Sequence, residues 1–195
     1  MTRAALFLVA LTATASAQIT DGDALPLADA SVRTVDGSRA TLRDAAGPEG
    51  LVVVFWGNAC PWTTRYAERL ASLVEQYQPA GFGFVLVNSN DPADENESAS
   101  TSSETAAASG LTAPYIEDAA GQLASAFGAR SVPHAFLFGP DLRLLYDGTL
   151  DDSPASPARV QVPYLALAMD QSIAGLPIEV QRTQAFGCTI KRSSE

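Results

Sequence analysis

Apolar positions along the chain follow two spacings. Leu51 to Trp56 is a continuous apolar run rich in β-branched residues, and Phe82 to Asn88 is a second run of similar length. Short runs of this kind read as strands buried on both faces. Between them Tyr66, Leu70, Leu73, Val74 and Tyr77 recur at helical spacing. Pro61 suits the first turn of that helix, where no backbone donor is needed. Pro79 and Gly81 stop it. Strand, helix and strand of these lengths form a βαβ unit, which implies a parallel pair and a right-handed crossover.

The flanks add weaker elements. Ser31 to Val35 and Arg39 to Leu42 alternate around Asp36-Gly37 as a hairpin. Ala135 to Phe138 and Arg143 to Tyr146 flank Gly139-Pro140-Asp141 and predict an antiparallel hairpin. Ala119 to Phe127 reads as a helix capped by Asp118, and Pro163 to Ile173 as a final helix. Residues 91–110 are polar, acidic and rich in Ser, Ala and Thr, so they form either a weak helix around Glu97 to Ser109 or a mobile insertion. Their composition favours a solvated face over a site. Glu68 and Arg69 likewise read as a solvated helix face. Residues 18–30 are an irregular lead-in, and residues 176–195 form a tail.

Composition places these elements in one globular domain over residues 18–195. Hydrophobic residues make up 47% of 195, enough for a sizeable core. The net charge of −10 argues against nucleic acid and anionic lipid as partners, because phosphate binding needs clustered Lys and Arg. No stable membrane association is expected. Residues 1–17 read as a signal peptide: Arg3 is the positive region, Ala4 to Leu11 the apolar core, and Ala15-Ser16-Ala17 the cleavage site before Gln18. The chain is therefore expected in the periplasm or outside the cell. An oxidising compartment suits a thiol pair, and only Cys60 and Cys188 are present. One His and two Cys exclude an all-Cys/His tetrahedral zinc site in a single chain. No metal or cofactor is expected.

The chemistry gathers at Cys60, four residues after the first buried run and at the mouth of the first helix. Backbone N–H groups and the positive end of the helix dipole favour a thiolate there, and a thiolate is the nucleophile of disulfide exchange. The expectation is an exposed, acidic Cys60, with Pro61 fixing the first turn and Trp62 walling the site. The alternative is a buried, inert cysteine. Thr63 either hydrogen-bonds the Cys60 sulfur, supporting the thiolate, or caps the helix. Val132-Pro133 stands at the entry to a strand, where a missing ladder donor is tolerated.

Two segments then carry a resemblance. Phe55-Trp56-Gly57-Asn58-Ala59-Cys60-Pro61-Trp62 resembles the active-site segment of the thioredoxin-like, redoxin (AhpC/TSA-related) superfamily, and Phe127 to Phe138 resembles its cis-proline segment. Asn58, Asn88-Ser89-Asn90-Asp91, Pro114-Tyr115 and Gly187-Cys188-Thr189-Ile190-Lys191 are similar to a bacterial redoxin-domain subgroup, and the likeness covers residues 25–192. It implies an α/β thioredoxin-like fold: a central mixed sheet flanked by helices, with an N-terminal hairpin and a C-terminal tail. It also implies that Pro133 is cis and faces Cys60, and that Val132, Pro133, Trp62 and His134 line a substrate groove. His134 has a second possible role, stabilising a thiolate. Glu117 and Asp118 resemble the acidic pair before a redoxin helix, with Asp118 as cap.

The departures from the family matter as much. Thioredoxins carry Cys-x-x-Cys, and here the second position is Thr63. Peroxiredoxins carry Thr three residues before the reactive Cys and Pro seven before; here these are Gly57 and Val53. Relatives often have His before the Cys and Trp after the Ile-Lys pair, where this chain has Ala59 and Arg192. Cys188 is then the candidate resolving thiol. A static disulfide pinning the tail, or an unpaired Cys188, are the other readings. The leading expectation is an exported thiol–disulfide oxidoreductase with Cys60 as nucleophile. Its substrate would be a disulfide-containing exported protein or a small thiol, with an electron donor from outside. The alternatives are a thiol peroxidase and a non-catalytic or copper-binding protein. Copper chaperones of this fold use Cys-x-x-x-Cys, and Thr64 leaves only Cys60, Cys188 and His134 for that role.

Overall fold

A computed structural model describes residues 18–192. The signal-peptide reading of residues 1–17 lies outside them. In chain order the elements are β1 (Val32–Arg33), β2 (Arg39–Ala40), β3 (Gly50–Phe55), α1 (Pro61–Tyr77), β4 (Phe82–Asn88), α2 (Ala99–Ala108), β5 (Tyr115–Glu117), α3 (Gln122–Phe127), β6 (Ser131–Val132), β7 (His134–Phe138), β8 (Leu144–Gly148), α4 (Tyr164–Ile173) and β9 (Cys188–Thr189).

β3 occupies the centre of a five-stranded sheet of order β5-β4-β3-β7-β8. It runs parallel to β4 and antiparallel to β7, while β4–β5 is parallel and β7–β8 antiparallel. The sheet is mixed because α1 carries the chain across between β3 and β4, whereas a tight turn joins β7 to β8. Alternation along β3 sends Val52 and Val54 into one core and Leu51, Val53 and Phe55 into the other. The first core lies under α1 and α4, the second under α3 and the N-terminal segment. A strand covered on both faces must be apolar at every position, which explains the unbroken run in the sequence.

α1 buries Tyr66, Ala67, Leu70, Val74 and Tyr77 on one stripe and opens with Pro61 at its first position. Arg69 departs from the solvated face expected of it. Its guanidinium lies 2.5 Å from Asp151, donates to the Ser153 and Pro154 carbonyls, and stacks over the Tyr66 ring. Asp151, 82 residues further on and itself buried, is the reason. Asp118 does cap α3, accepting from the Leu123 and Ala124 amides. The helix starts later than its apolar pattern suggests, after Gly121. The expected N-terminal hairpin shrinks to two residue pairs between β1 and β2. Among the described residues no helix is long and apolar enough to cross a membrane.

Candidate active site

β3 ends at Phe55, and the Trp56 amide still bonds to the Val87 carbonyl. The chain then turns through Gly57 to Ala59 and reaches Cys60, the N-cap of α1. No side chain caps this helix end. Gly57 is required by the close approach of two neighbours. A Cβ there would lie 2.8 Å from the Asn90 side-chain nitrogen and 3.0 Å from a Val132 methyl. The missing peroxidase-type Thr therefore has a local cause: a side chain here has to shift the Asn90 side chain and crowds a Val132 methyl.

Cys60 is joined to Cys188 by a disulfide spanning 128 residues of sequence, with Cα atoms 6.0 Å apart. The expected exposure of Cys60 is corrected: it is 4% exposed, because the tail folds back over it. The tail is held by more than the covalent bond. β9 pairs antiparallel with β6, setting Cys188 opposite Val132. The Ile190 amide donates to the Arg130 carbonyl, the Lys191 amide to Asn90 Oδ1, and the Asp91 amide to the Lys191 carbonyl. Phe186 packs edge-on against Trp62 at 4.8 Å between centroids. A Cβ at Gly187 would collide with the Val132 carbonyl, so the tail can pass this close only as glycine.

The Val132–Pro133 bond is cis, and Cys60 Sγ lies 3.4 Å from the Val132 carbonyl oxygen. The disulfide sulfur has no proton, so this contact is packing; a reduced Cys60 thiol would find an acceptor there. Val132 and Pro133 are both buried, and the groove expected along them holds the chain's own tail.

Two expected roles change. The Thr63 hydroxyl does not reach the sulfur. It turns into the protein, 2.5 Å from the Gly57 carbonyl and 2.6 Å from the Cys60 carbonyl, because position three of the helix faces the core. His134 lines a different cavity from Cys60. It is buried, stacked on Phe136, with Nε2 2.5 Å from Asp147 Oδ1. Asp147 in turn accepts from Gln18 and pairs with Arg182, so this histidine belongs to a buried polar cluster that pins the start of the tail.

The segment expected to be a solvated face instead reaches the site. Glu97, just ahead of α2, is buried and extends its carboxylate under the turn before Cys60. Oε2 accepts from the Asn58 amide at 2.9 Å and Oε1 from the Ala59 amide at 3.1 Å. Asn88 Nδ2 donates to Oε2 at 3.0 Å. Asn58 donates to Ser102 and accepts from the Tyr115 hydroxyl, whose ionisation burial pushes well above the ordinary tyrosine range. Nothing in a Ser- and Ala-rich stretch marks Glu97 out. Asn58 and Asn88 were legible only through the subgroup likeness. A cavity of about 270 Å³ opens beside the disulfide, lined by Cys60, Cys188, Asn90, Glu97 and Lys191 among others.

The AhpC/TSA family matches residues 22–146 of the chain. A hypothetical protein from Sinorhizobium meliloti is 30% identical, with 92% of this chain and 98% of that one covered at a TM-score of 0.82. An uncharacterized conserved protein from Geobacillus kaustophilus is 27% identical, with 97% and 100% covered at 0.81. The thioredoxin domain of a thiol-disulfide oxidoreductase from Bacteroides vulgatus shares 16% identity, covers 68% of this chain and 90% of that one, and superposes at 0.56. No curated protein matches the chain in sequence. The fold is thioredoxin-like.

Proposed function

The chain belongs to the AhpC/TSA family, and from that premise we propose that it is an exported thiol–disulfide oxidoreductase with Cys60 as nucleophile and Cys188 as resolving thiol. The observation that carries this reading is the Cys60–Cys188 disulfide at the N-terminus of α1, beside the cis Val132–Pro133 bond and open to a cavity. The missing second cysteine of a Cys-x-x-Cys motif is supplied by the tail.

In the reducing direction, the Cys60 thiolate attacks one sulfur of a substrate disulfide. A Cys60–substrate bond forms, the substrate S–S bond breaks, and one substrate thiolate leaves. The Cys188 thiolate then attacks Cys60 Sγ, forming the internal disulfide and releasing the second substrate thiolate. Two electrons pass from the chain to the substrate, and the two protons of the chain's thiols end on the substrate's. An external dithiol restores the reduced chain by the reverse steps, and the same steps run backwards oxidise a substrate dithiol. Because β9 is held to β6 by backbone hydrogen bonds, and Lys191 just after it to the Asn90 side chain, as well as by sulfur, the resolving thiol stays close to its target.

The peroxidase reading is disfavoured by Gly57, which supplies no hydroxyl to orient a peroxide and where a side chain has to displace that of Asn90. Copper binding is disfavoured because the two sulfurs bond each other and His134 is committed to Asp147.

The test is exchange with a small aromatic disulfide and with a disulfide-containing protein. Cys60→Ser is expected to abolish exchange, and Cys188→Ser to accumulate a mixed disulfide at Cys60 visible by mass spectrometry. Normal exchange by Cys60→Ser sinks the proposal. A Cys60–Cys188 bond that ignores a glutathione redox series identifies a static disulfide instead. Stopped-flow peroxide consumption at rates above those of free cysteine restores the peroxidase reading.

A further inference from the structure

The least explained group near the sulfurs is a buried carboxylate with no cationic partner. Glu97 makes no ion pair among the described residues, yet it is buried against the turn that presents Cys60. Three donors reach it, two of them the amides of Asn58 and Ala59, the residues immediately before the cysteine. These amides belong to the turn just ahead of the N-cap Cys60, not to the helix itself. Here they are spent on Glu97.

We propose that Glu97 is the positioning residue of the Cys60–Cys188 couple: its carboxylate clamps the turn before Cys60 and places a fixed negative charge beside the sulfur, offsetting the helix end and keeping the reduced Cys60 protonated. The inference rests on the reading of Cys60 as the nucleophile. A like charge disfavours a thiolate. The remaining charged groups of the cavity do not reverse this, since Asp91 and Asp94 balance Lys191 and Arg192 there, two carboxylates against two cations, and leave the Glu97 charge over. The Val132 carbonyl acts in the same sense. At 3.4 Å from Sγ it accepts a hydrogen bond from a thiol and repels a thiolate. The helix dipole alone predicts an acidic cysteine. With Glu97 in place the cysteine is an ordinary thiol, the dithiol gains nothing from ionisation, and the disulfide resists reduction.

The experiment uses the full chain and Glu97→Gln, with Cys188→Ser added in both backgrounds to isolate Cys60. Alkylation of reduced Cys60 is followed against pH, and the Cys60–Cys188 couple is titrated with glutathione. Glutamine keeps the length but removes the charge and one acceptor. The expected result is an approximately tenfold higher alkylation rate near neutral pH, from a downward shift of about one pKa unit. Measured above about pH 9, where the Cys60 thiol of both chains is largely ionised, the equilibrium should move by up to about tenfold toward the dithiol, close to 30 mV for a two-electron couple, and near pH 7, where the thiol stays mostly protonated, it should move little. Glu97→Asp, which keeps the charge, should stay closer to the wild type. A folded Glu97→Gln chain with an unchanged alkylation profile and potential overturns the proposal and leaves Glu97 a purely structural clamp. Should Glu97→Gln fail to fold, the wild type decides: Cys60 titrating near 8.5 supports the proposal, and Cys60 titrating below 7 overturns it. A shifted Cys60 thiol in a chain that exchanges no substrate refutes the oxidoreductase reading and leaves this one standing. An unshifted thiol in an active chain does the reverse.

Discussion

Gly57 is the residue at which the two proposed chemistries part. It sits three residues before Cys60, with the Asn90 side chain on one side and Val132 on the other. Gly57→Thr restores the hydroxyl of a peroxidase but has to push both neighbours aside. Overpacking of this kind costs about 1–3 kcal/mol. The expected outcome is a lower urea midpoint with no gain in peroxide consumption. A variant of wild-type stability that consumes peroxide rapidly would show that the site has room after all. Thr63 makes the related point about direction. The position that holds the second cysteine of a Cys-x-x-Cys motif is fully buried here and bonded to two backbone carbonyls. The partner thiol therefore arrives from elsewhere.

At the scale of elements, two segments of low sequence signal complete the site. The turn before α2 delivers Glu97, and β9 delivers Cys188. The tail is fixed by a two-residue ladder, two further backbone hydrogen bonds, one from the Lys191 amide to the Asn90 side chain, the Phe186–Trp62 contact and the disulfide. A cross-link between residues 128 apart restricts the unfolded chain strongly, by about 4–5 kcal/mol on the chain-entropy model. Cys188→Ser is expected to lose stability of up to this size in urea unfolding against the oxidised wild type. Reduction of the wild type should reproduce the loss. If neither lowers the midpoint, the bond is not constraining the unfolded chain and the tail is held by its hydrogen bonds alone.

For the whole molecule, the sheet separates two cores of different chemistry. The face under α1 and α4 contains Tyr66, Tyr77, Tyr115 and Tyr146, all buried. Burial raises the pKa of each above its ordinary value of 10.0, Tyr66 to about 12. Below pH 10 these phenols are protonated in both folded and unfolded chains and stability does not depend on them. As pH rises past 10, the unfolded chain releases protons that the folded chain retains, so stability falls. The urea midpoint is expected to drop between pH 9 and pH 11, with tyrosinate absorbance appearing together with unfolding. An unchanged midpoint, or more than one of the five tyrosines ionising in the folded protein, contradicts this account of the core.

What the sequence determined by itself is whatever depends on near neighbours. Apolar runs marked β3 and β4, a helical stripe with Pro61 at its head marked α1, and Asp118 announced the cap of α3. Each of these is settled within a few residues by burial period or local hydrogen bonding. The resemblance added the cis proline and offered Cys188 as one of three readings. The tertiary structure alone decided which groups meet: Cys60 with Cys188 across 128 residues, Glu97 with the amides 38 and 39 residues before it, Arg69 with Asp151, and His134 with Asp147. Such pairings depend on the path of the chain through the fold, and no periodicity records that path. Burial of Cys60 is of the same kind. A helix mouth is open until a distant segment closes it, and here that segment carries the second sulfur.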